Sequence, residues 1–206
     1  MHIAIAGNIG SGKTTLTRML AAHYGWEAHF EAVDHNPYLE DYYKDIPRWA
    51  FPLEVYFLKE RFKDVLNISR SVHSIIQDRS IYEGVYVFAQ GNRDMGHLSE
   101  RDFDTYLSLF EQMVGQVRYP DLMIYLRCSV PHLVDNIQKR NRNYEQSISL
   151  DYLESINRRY EDFIFHHYPG QVLVVEADTL DFEHREEDFG SILQRIDKRL
   201  YNLFDN

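Results

Sequence analysis

The sequence predicts an α/β protein, a five-stranded parallel sheet flanked by helices and assembled behind a phosphate-binding loop. Two observations carry this. Short apolar or β-rich runs alternate with stretches of helical periodicity along the chain, the pattern of successive βαβ units rather than of a sandwich. In addition, Gly7-Asn8-Ile9-Gly10-Ser11-Gly12-Lys13-Thr14 fits G-x-x-x-x-G-K-[ST] and directly follows the first apolar run.

Taken in order, Ile3 to Ala6 is an apolar run of buried-strand length, and the loop, with Thr15 spanning 7–15, leads into a helix from Gly12 to Tyr24. Ala28 to Ala32 reads as the second strand, Trp49 to Ser69 as a long helix and Val72 to Gln77 as the third strand. Helices are predicted over Ile81 to Ala89 and Glu100 to Val117. In the latter, Phe103, Tyr106, Leu107, Phe110, Met113 and Val114 recur at three- and four-residue spacing, giving a broad apolar face for the core and in part for a partner subunit. Leu122 to Leu126 is the fourth strand, Val130 to Lys139 and Leu150 to His166 are helices, Val172 to Val175 is the fifth strand, and Arg185 to Phe204 closes the pattern as a helix.

At 206 residues and 44% hydrophobic, the chain makes one domain, 1–206, with a substantial core. A net charge of -10 argues against a nucleic-acid surface and suits a neutral acceptor. Cys128, the only cysteine, leaves no disulfide framework or cysteine metal cluster, as in a reducing cytosol, and reads as packing. No run approaches the ~20 apolar residues of a membrane span, and the N-terminal residues do not form a signal peptide. These features predict a soluble, cytoplasmic protein without a membrane partner.

Ligands of an open parallel sheet bind outside the carboxyl ends of its strands, so the segments there carry the chemistry. In the loop, glycines let successive N–H groups face phosphate oxygens, Lys13 adds a cation, and the Thr14 hydroxyl can ligate Mg²⁺ held with ATP. Glu31 closes the second predicted strand and can accept a hydroxyl proton, or be a solvated loop acid. Asp78 has the placement of a Mg²⁺-binding acid, and Arg79 can hold an acceptor oxygen or a phosphate; a merely local ion pair is the alternative. Lys139, Arg140 and Arg142 cluster in a segment, 139–147, that suits a lid closing arginines onto phosphates, or a solvated basic helix end.

Four segments together resemble the deoxynucleoside kinase family. They are Phe30-Glu31-Ala32-Val33-Asp34-His35-Asn36-Pro37-Tyr38-Leu39, Arg48-Trp49-Ala50-Phe51, Asp78-Arg79-Ser80-Ile81-Tyr82-Glu83, and Arg140-Asn141-Arg142 with Glu145. The likeness is greatest to the bacterial deoxyadenosine and deoxyguanosine kinases, and extends to deoxycytidine kinase and mitochondrial thymidine kinase. It implies a P-loop kinase fold and ATP-dependent phosphorylation of a deoxynucleoside 5′-hydroxyl in nucleotide salvage. By matched position, Glu31 would be the general base and Arg79 would hold the 5′ oxygen, with Thr14 and Asp78 serving Mg²⁺. Tyr43 and Glu145 would bind the sugar 3′-hydroxyl, Arg140 and Arg142 would be lid arginines, and Asp181-Phe182 would form the loop over the ATP adenine. Members are commonly homodimers. The chain departs from the family pattern at Asn136, where an arginine is frequent, and at Gly84, where deoxycytidine kinase carries a base-sensing aspartate.

Base choice falls on Glu54, five residues after Trp49, where many members place a glutamine. An ionised carboxylate only accepts hydrogen bonds, so Glu54 can take guanine N1–H and N2–H while Arg61, seven residues on, donates to O6 and N7. This favours deoxyguanosine over deoxyadenosine. Pairing of Glu54 with Arg61, or a protonated Glu54 mimicking an amide, are the other readings. Two rivals remain: a nucleoside monophosphate kinase such as thymidylate kinase, whose dianionic acceptor would want an extra cation near Glu31, where the neighbours His29, Phe30 and Ala32 include no arginine; and a non-enzymatic ATP-binding regulatory module.

Overall fold

The computed structural model describes residues 1–31, 36–141 and 148–201. All five predicted strands form, as β1 (His2–Gly7), β2 (Glu27–His29), β3 (Ile75–Asp78), β4 (Leu122–Arg127) and β5 (Val172–Glu176). They pair in parallel in the order β2-β3-β1-β4-β5, with Ile5 opposite Asp78 and Ile3 opposite Leu122. Alternation splits the strand residues between two cores. Ile3, Ile5, Leu122 and Ile124 pack with Leu16 and Leu20 of α1 (Lys13–Tyr24) and with Ile192 and Ile196 of α8 (Glu186–Tyr201). Ala6, Met123 and Tyr125 face the opposite layer.

That second layer holds α2 (Leu39–Lys44), α3 (Ile46–Arg70), α4 (Gln90–Asp94), α5 (Glu100–Val114) and α7 (Leu150–Asp162), while α6 (Val130–Arg140) follows β4. Asp45 caps α3 by accepting from Arg48 N at 3.4 Å, and Ser99 caps α5 by accepting from Asp102 N at 3.2 Å. On α5, Phe103, Tyr106 and Phe110 are buried and Leu107, Met113 and Val114 pack against the same core, so the aromatic stripe is interior. No helix among the described residues is long and apolar enough to cross a membrane.

Several boundaries differ from the sequence reading. Strand β2 stops at His29, so Glu31 lies two residues past it, and β3 begins at Ile75 because Val72, despite its β-branched side chain, is 92% exposed and has nothing to pack on. The helix predicted over Ile81 to Ala89 is a π-helical turn at Gly84–Ala89 running into α4, and the end of the helix predicted over Leu150 to His166 is a second such turn at Phe163–His167. Helix α2, unanticipated, brings Tyr42 into the core and Tyr43 beside the cavity described next.

Candidate active site

The carboxyl ends of β2, β3 and β1 face a cavity of about 390 Å³. Ile9, Gly10, Lys13 and Thr14 of the loop form one wall, and Glu31, Asp78 and Arg79 form the adjoining one. Tyr43, Glu54, Arg61 and Arg140 complete the sequence-predicted residues that line it. Gly7, Asn8, Ser11, Gly12 and Thr15 belong to the loop without lining this cavity, and Asp181 and Phe182, from the segment after β5, do not line it either. Arg142 and Glu145 lie outside the described residues.

The loop is held from three sides. Gly12 has φ +89° and sits against Phe182, whose Cζ would lie 2.9 Å from an added Cβ; Phe182 is therefore a packing residue under the loop. Asn8 Nδ2 donates to Leu153 O at 3.0 Å and to Asn157 Oδ1 at 2.6 Å, and Asn157 Nδ2 donates to Cys128 O at 2.8 Å. Asn136, in place of the frequent arginine, donates from Nδ2 to Gly10 O at 2.9 Å. Its amide thus supports the loop backbone. Cys128 is buried behind the loop and burial pushes its thiol up to about 12, in keeping with a packing role. Asp181 is exposed and paired with His184 Nδ1 at 2.8 Å.

Lys13 is 7% exposed and donates from Nζ to Asn8 O at 2.8 Å; burial, reinforced by Arg79, lowers its ammonium to about 8. Bound phosphate would restore the charge. Thr14 Oγ1 donates to Asp78 Oδ2 at 2.6 Å, and Asp78 Oδ1 is buried without a hydrogen-bond partner. A hydroxyl and an orphaned carboxylate oxygen fit a hard divalent cation that takes oxygen ligands. No cluster of three or more His, Cys, Asp or Glu that could hold a metal occurs among the described residues, so such an ion would be shared with phosphates.

Glu31 is clamped by two arginines. Arg61 Nη2 donates to Oε1, and Arg79 Nε donates to Oε2 at 3.1 Å. Burial would push the carboxyl up, but the guanidiniums of Arg79 and then Arg61 override it and bring it down to about 2. Glu31 is therefore ionised, and neither a solvated loop acid nor far from cations. The chain neighbours of Glu31 include no arginine, but the fold supplies two. Arg79 itself adopts φ +70°, a costly conformation for a non-glycine residue. Tyr160 and Glu83 over-determine it: Nη1 donates to Tyr160 OH and lies 3.5 Å from Glu83 Oε1, while Tyr160 OH donates to Glu83 Oε1 at 2.7 Å. Ser80 N donates to Glu83 Oε2 at 2.6 Å, and the Phe88 ring lies under the guanidinium.

Glu54 is 3% exposed and accepts from Asn92 Nδ2 at 3.0 Å; Asn92 in turn accepts from Tyr42 OH at 3.0 Å. Burial pushes the Glu54 carboxyl up to about 8. This corrects the expectation of an ionised Glu54: at neutral pH the acid is mostly protonated, and it offers one donor and one acceptor as an amide does. Glu54 and Arg61 do not form the ion pair that was the alternative, since Arg61 is committed to Glu31. Arg61 Nε and Nη1 are buried without partners, beside Gly84, where an added Cβ would come within 3.0 Å of Nη1 and 2.8 Å of Tyr106 OH. Asn92, Tyr160 and Asn157 escaped the sequence reading because no local motif marks them. Each reaches its partner across the fold, Tyr160 being 81 residues from Arg79.

Comparison with known proteins agrees with this geometry. The chain is 40% identical to a deoxyadenosine/deoxycytidine kinase of Bacillus subtilis, over 94% of this chain and 90% of that protein. It is 34% identical to a deoxyguanosine kinase of the same organism, over 94% of this chain and 95% of that one. The structure of deoxyadenosine kinase from M. mycoides with bound dATP superposes with a TM-score of 0.85 at 32% identity, covering 96% of this chain and 99% of its own. A family model described as deoxynucleoside kinase matches residues 3–201. With a five-stranded parallel sheet, a phosphate-binding loop and a carboxylate clamped beside it, the chain belongs to the deoxynucleoside kinase family.

Proposed function

We propose that residues 1–206 form one domain that transfers the γ-phosphoryl group of ATP to the 5′-hydroxyl of a purine deoxynucleoside in nucleotide salvage. The observation that carries this reading is Glu31, held ionised between Arg61 and Arg79 in the same cavity as Lys13 and Thr14. Lys13 and the loop N–H groups hold the β/γ-phosphates, and Thr14 and Asp78 serve Mg²⁺, which neutralises developing charge when bound. The acceptor hydroxyl takes the place of Arg61 on one Glu31 oxygen. That exchange removes a cation and raises the basicity of the carboxylate as the proton leaves, while Arg79 holds the 5′ oxygen. Tyr43 and Glu145 meet the sugar, and Arg140 and Arg142 close from the lid.

Glu54 and the released Arg61 read the base. A protonated Glu54 can donate to adenine N1 and accept from its amino group, or pair with guanine O6 and N1–H, so the site admits both purines at neutral pH. The relatives named for different bases support a site whose choice of base is adjustable. The reading also makes the protein a cytoplasmic homodimer, supported by the family resemblance and by the lone, unpaired Cys128.

An assay of ADP release with the four deoxynucleosides tests this directly. Turnover with purine deoxynucleosides is expected; turnover with monophosphates alone, or none with any acceptor, overturns it. Glu31→Ala should keep ATP binding and lose about 10² to 10⁴ in kcat.

A further inference from the structure

We infer that Arg18 is a further substrate-contacting residue, a cation that holds the phosphoryl group as it reaches the acceptor and on the 5′-monophosphate product; this rests on the transfer reaction proposed above. Arg18 lies in α1, four residues and so about one turn after Thr14, and lines the same cavity. Helical side chains lean toward the helix N-terminus, so Arg18 covers the turn that bears Thr14 on the cavity that Glu31 and Asp78 also line.

Its electrostatic situation differs from that of Arg61 and Arg79. Arg79 bonds both Glu31 and Glu83, so much of its charge is already matched, and Arg61, paired with Glu31 in the free protein, turns to the base once the acceptor hydroxyl displaces it. Arg18 is exposed and has no carboxylate partner among the described residues. A neutral deoxynucleoside gives it nothing to bind. During transfer the P–O bond to ADP breaks as the bond to the 5′ oxygen forms, the hydroxyl proton passes to Glu31, and a dianionic phosphate is left on the acceptor side. A planar guanidinium is suited to two oxygens of such a group.

The test compares wild type with Arg18→Ala and Arg18→Lys, using calorimetric binding of deoxyadenosine and of its 5′-monophosphate, alongside kcat/KM. Arg18→Ala is expected to weaken the monophosphate about tenfold and to lower kcat/KM by a similar factor, with deoxyadenosine affinity and Tm unchanged; Arg18→Lys should recover part of both. Equal monophosphate affinity in wild type and Arg18→Ala overturns the assignment. So does a parallel loss for nucleoside and monophosphate with a lowered Tm, which would mark a structural role. If wild type itself fails to phosphorylate any deoxynucleoside, it is the transfer reaction that falls, and the monophosphate comparison still judges Arg18.

Discussion

Two carboxylates in one cavity sit on opposite sides of neutrality because their neighbours differ. Glu31 faces two guanidiniums and ionises at about 2, whereas Glu54 is buried against an amide and ionises at about 8. Base choice should therefore depend on pH. As pH rises through 8, Glu54 loses its proton and can only accept, which favours the N1–H and N2–H donors of guanine and abolishes donation to adenine N1. The ratio of kcat/KM for deoxyguanosine to that for deoxyadenosine should climb across this range and stay flat in Glu54→Gln. Lys13 titrates in the same region, but it serves the phosphate donor and cancels from a ratio of acceptors. Glu31 and Arg79 were visible in the sequence because each lies in a short segment that carries the family resemblance, and Glu54 because that resemblance marks the position five residues after Trp49. The protonation of Glu54 stood in the sequence only as an alternative, since the choice depends on burial beside Asn92, 38 residues away.

At the level of elements, the phosphate loop is stiff because α6, α7 and Phe182 each hold a different part of it. Asn157→Ala removes the bonds to Asn8 and to Cys128 O. It should cost about 1–3 kcal/mol, read from the denaturant midpoint, and raise KM for ATP more than KM for the nucleoside. The π-helical turn at Gly84 is a second such place. An alanine there would meet Tyr106 OH and Arg61 Nη1, so Gly84→Ala should destabilise by about 1–3 kcal/mol through overpacking and disturb nucleoside KM, measurable by thermal melting and initial rates. Buried strands β1 and β4 were legible as apolar runs. The two π-turns, Gly84–Ala89 and Phe163–His167, are each too short for a change of period to register, so the pattern showed a helix and hid its form.

Across the whole molecule, the same two acids set opposing pH dependences of stability. An unfolded glutamate ionises near 4.5, while folded Glu54 keeps its proton to about 8, so its contribution to stability declines as pH rises from 4.5 to 8. Folded Glu31 stays ionised down to about 2, so its contribution is present above 4.5 and is lost as pH falls through 2. Calorimetric Tm values over pH 4 to 9 should therefore fall less steeply on the alkaline side in Glu54→Gln than in wild type. The fold class was readable because alternating strands and helices are a chain-wide signal, whereas Arg61 and Arg79 meeting on Glu31 is a product of the sheet order together with the packing of α3, which no segment announces.

That order, β2-β3-β1, works as a ruler. Neighbouring strands lie about 4.8 Å apart, so the anchor for the donor after β1, the acid that ends β3 with the arginine after it, and the acceptor carboxylate after β2 fall at successive graduations spanning about 10 Å. The groups that meet the base, Glu54 and Arg61, stand off the ruler on α3. Substitutions on that helix can therefore re-tune which nucleoside enters while the distance over which phosphate travels stays fixed by the backbone of the sheet.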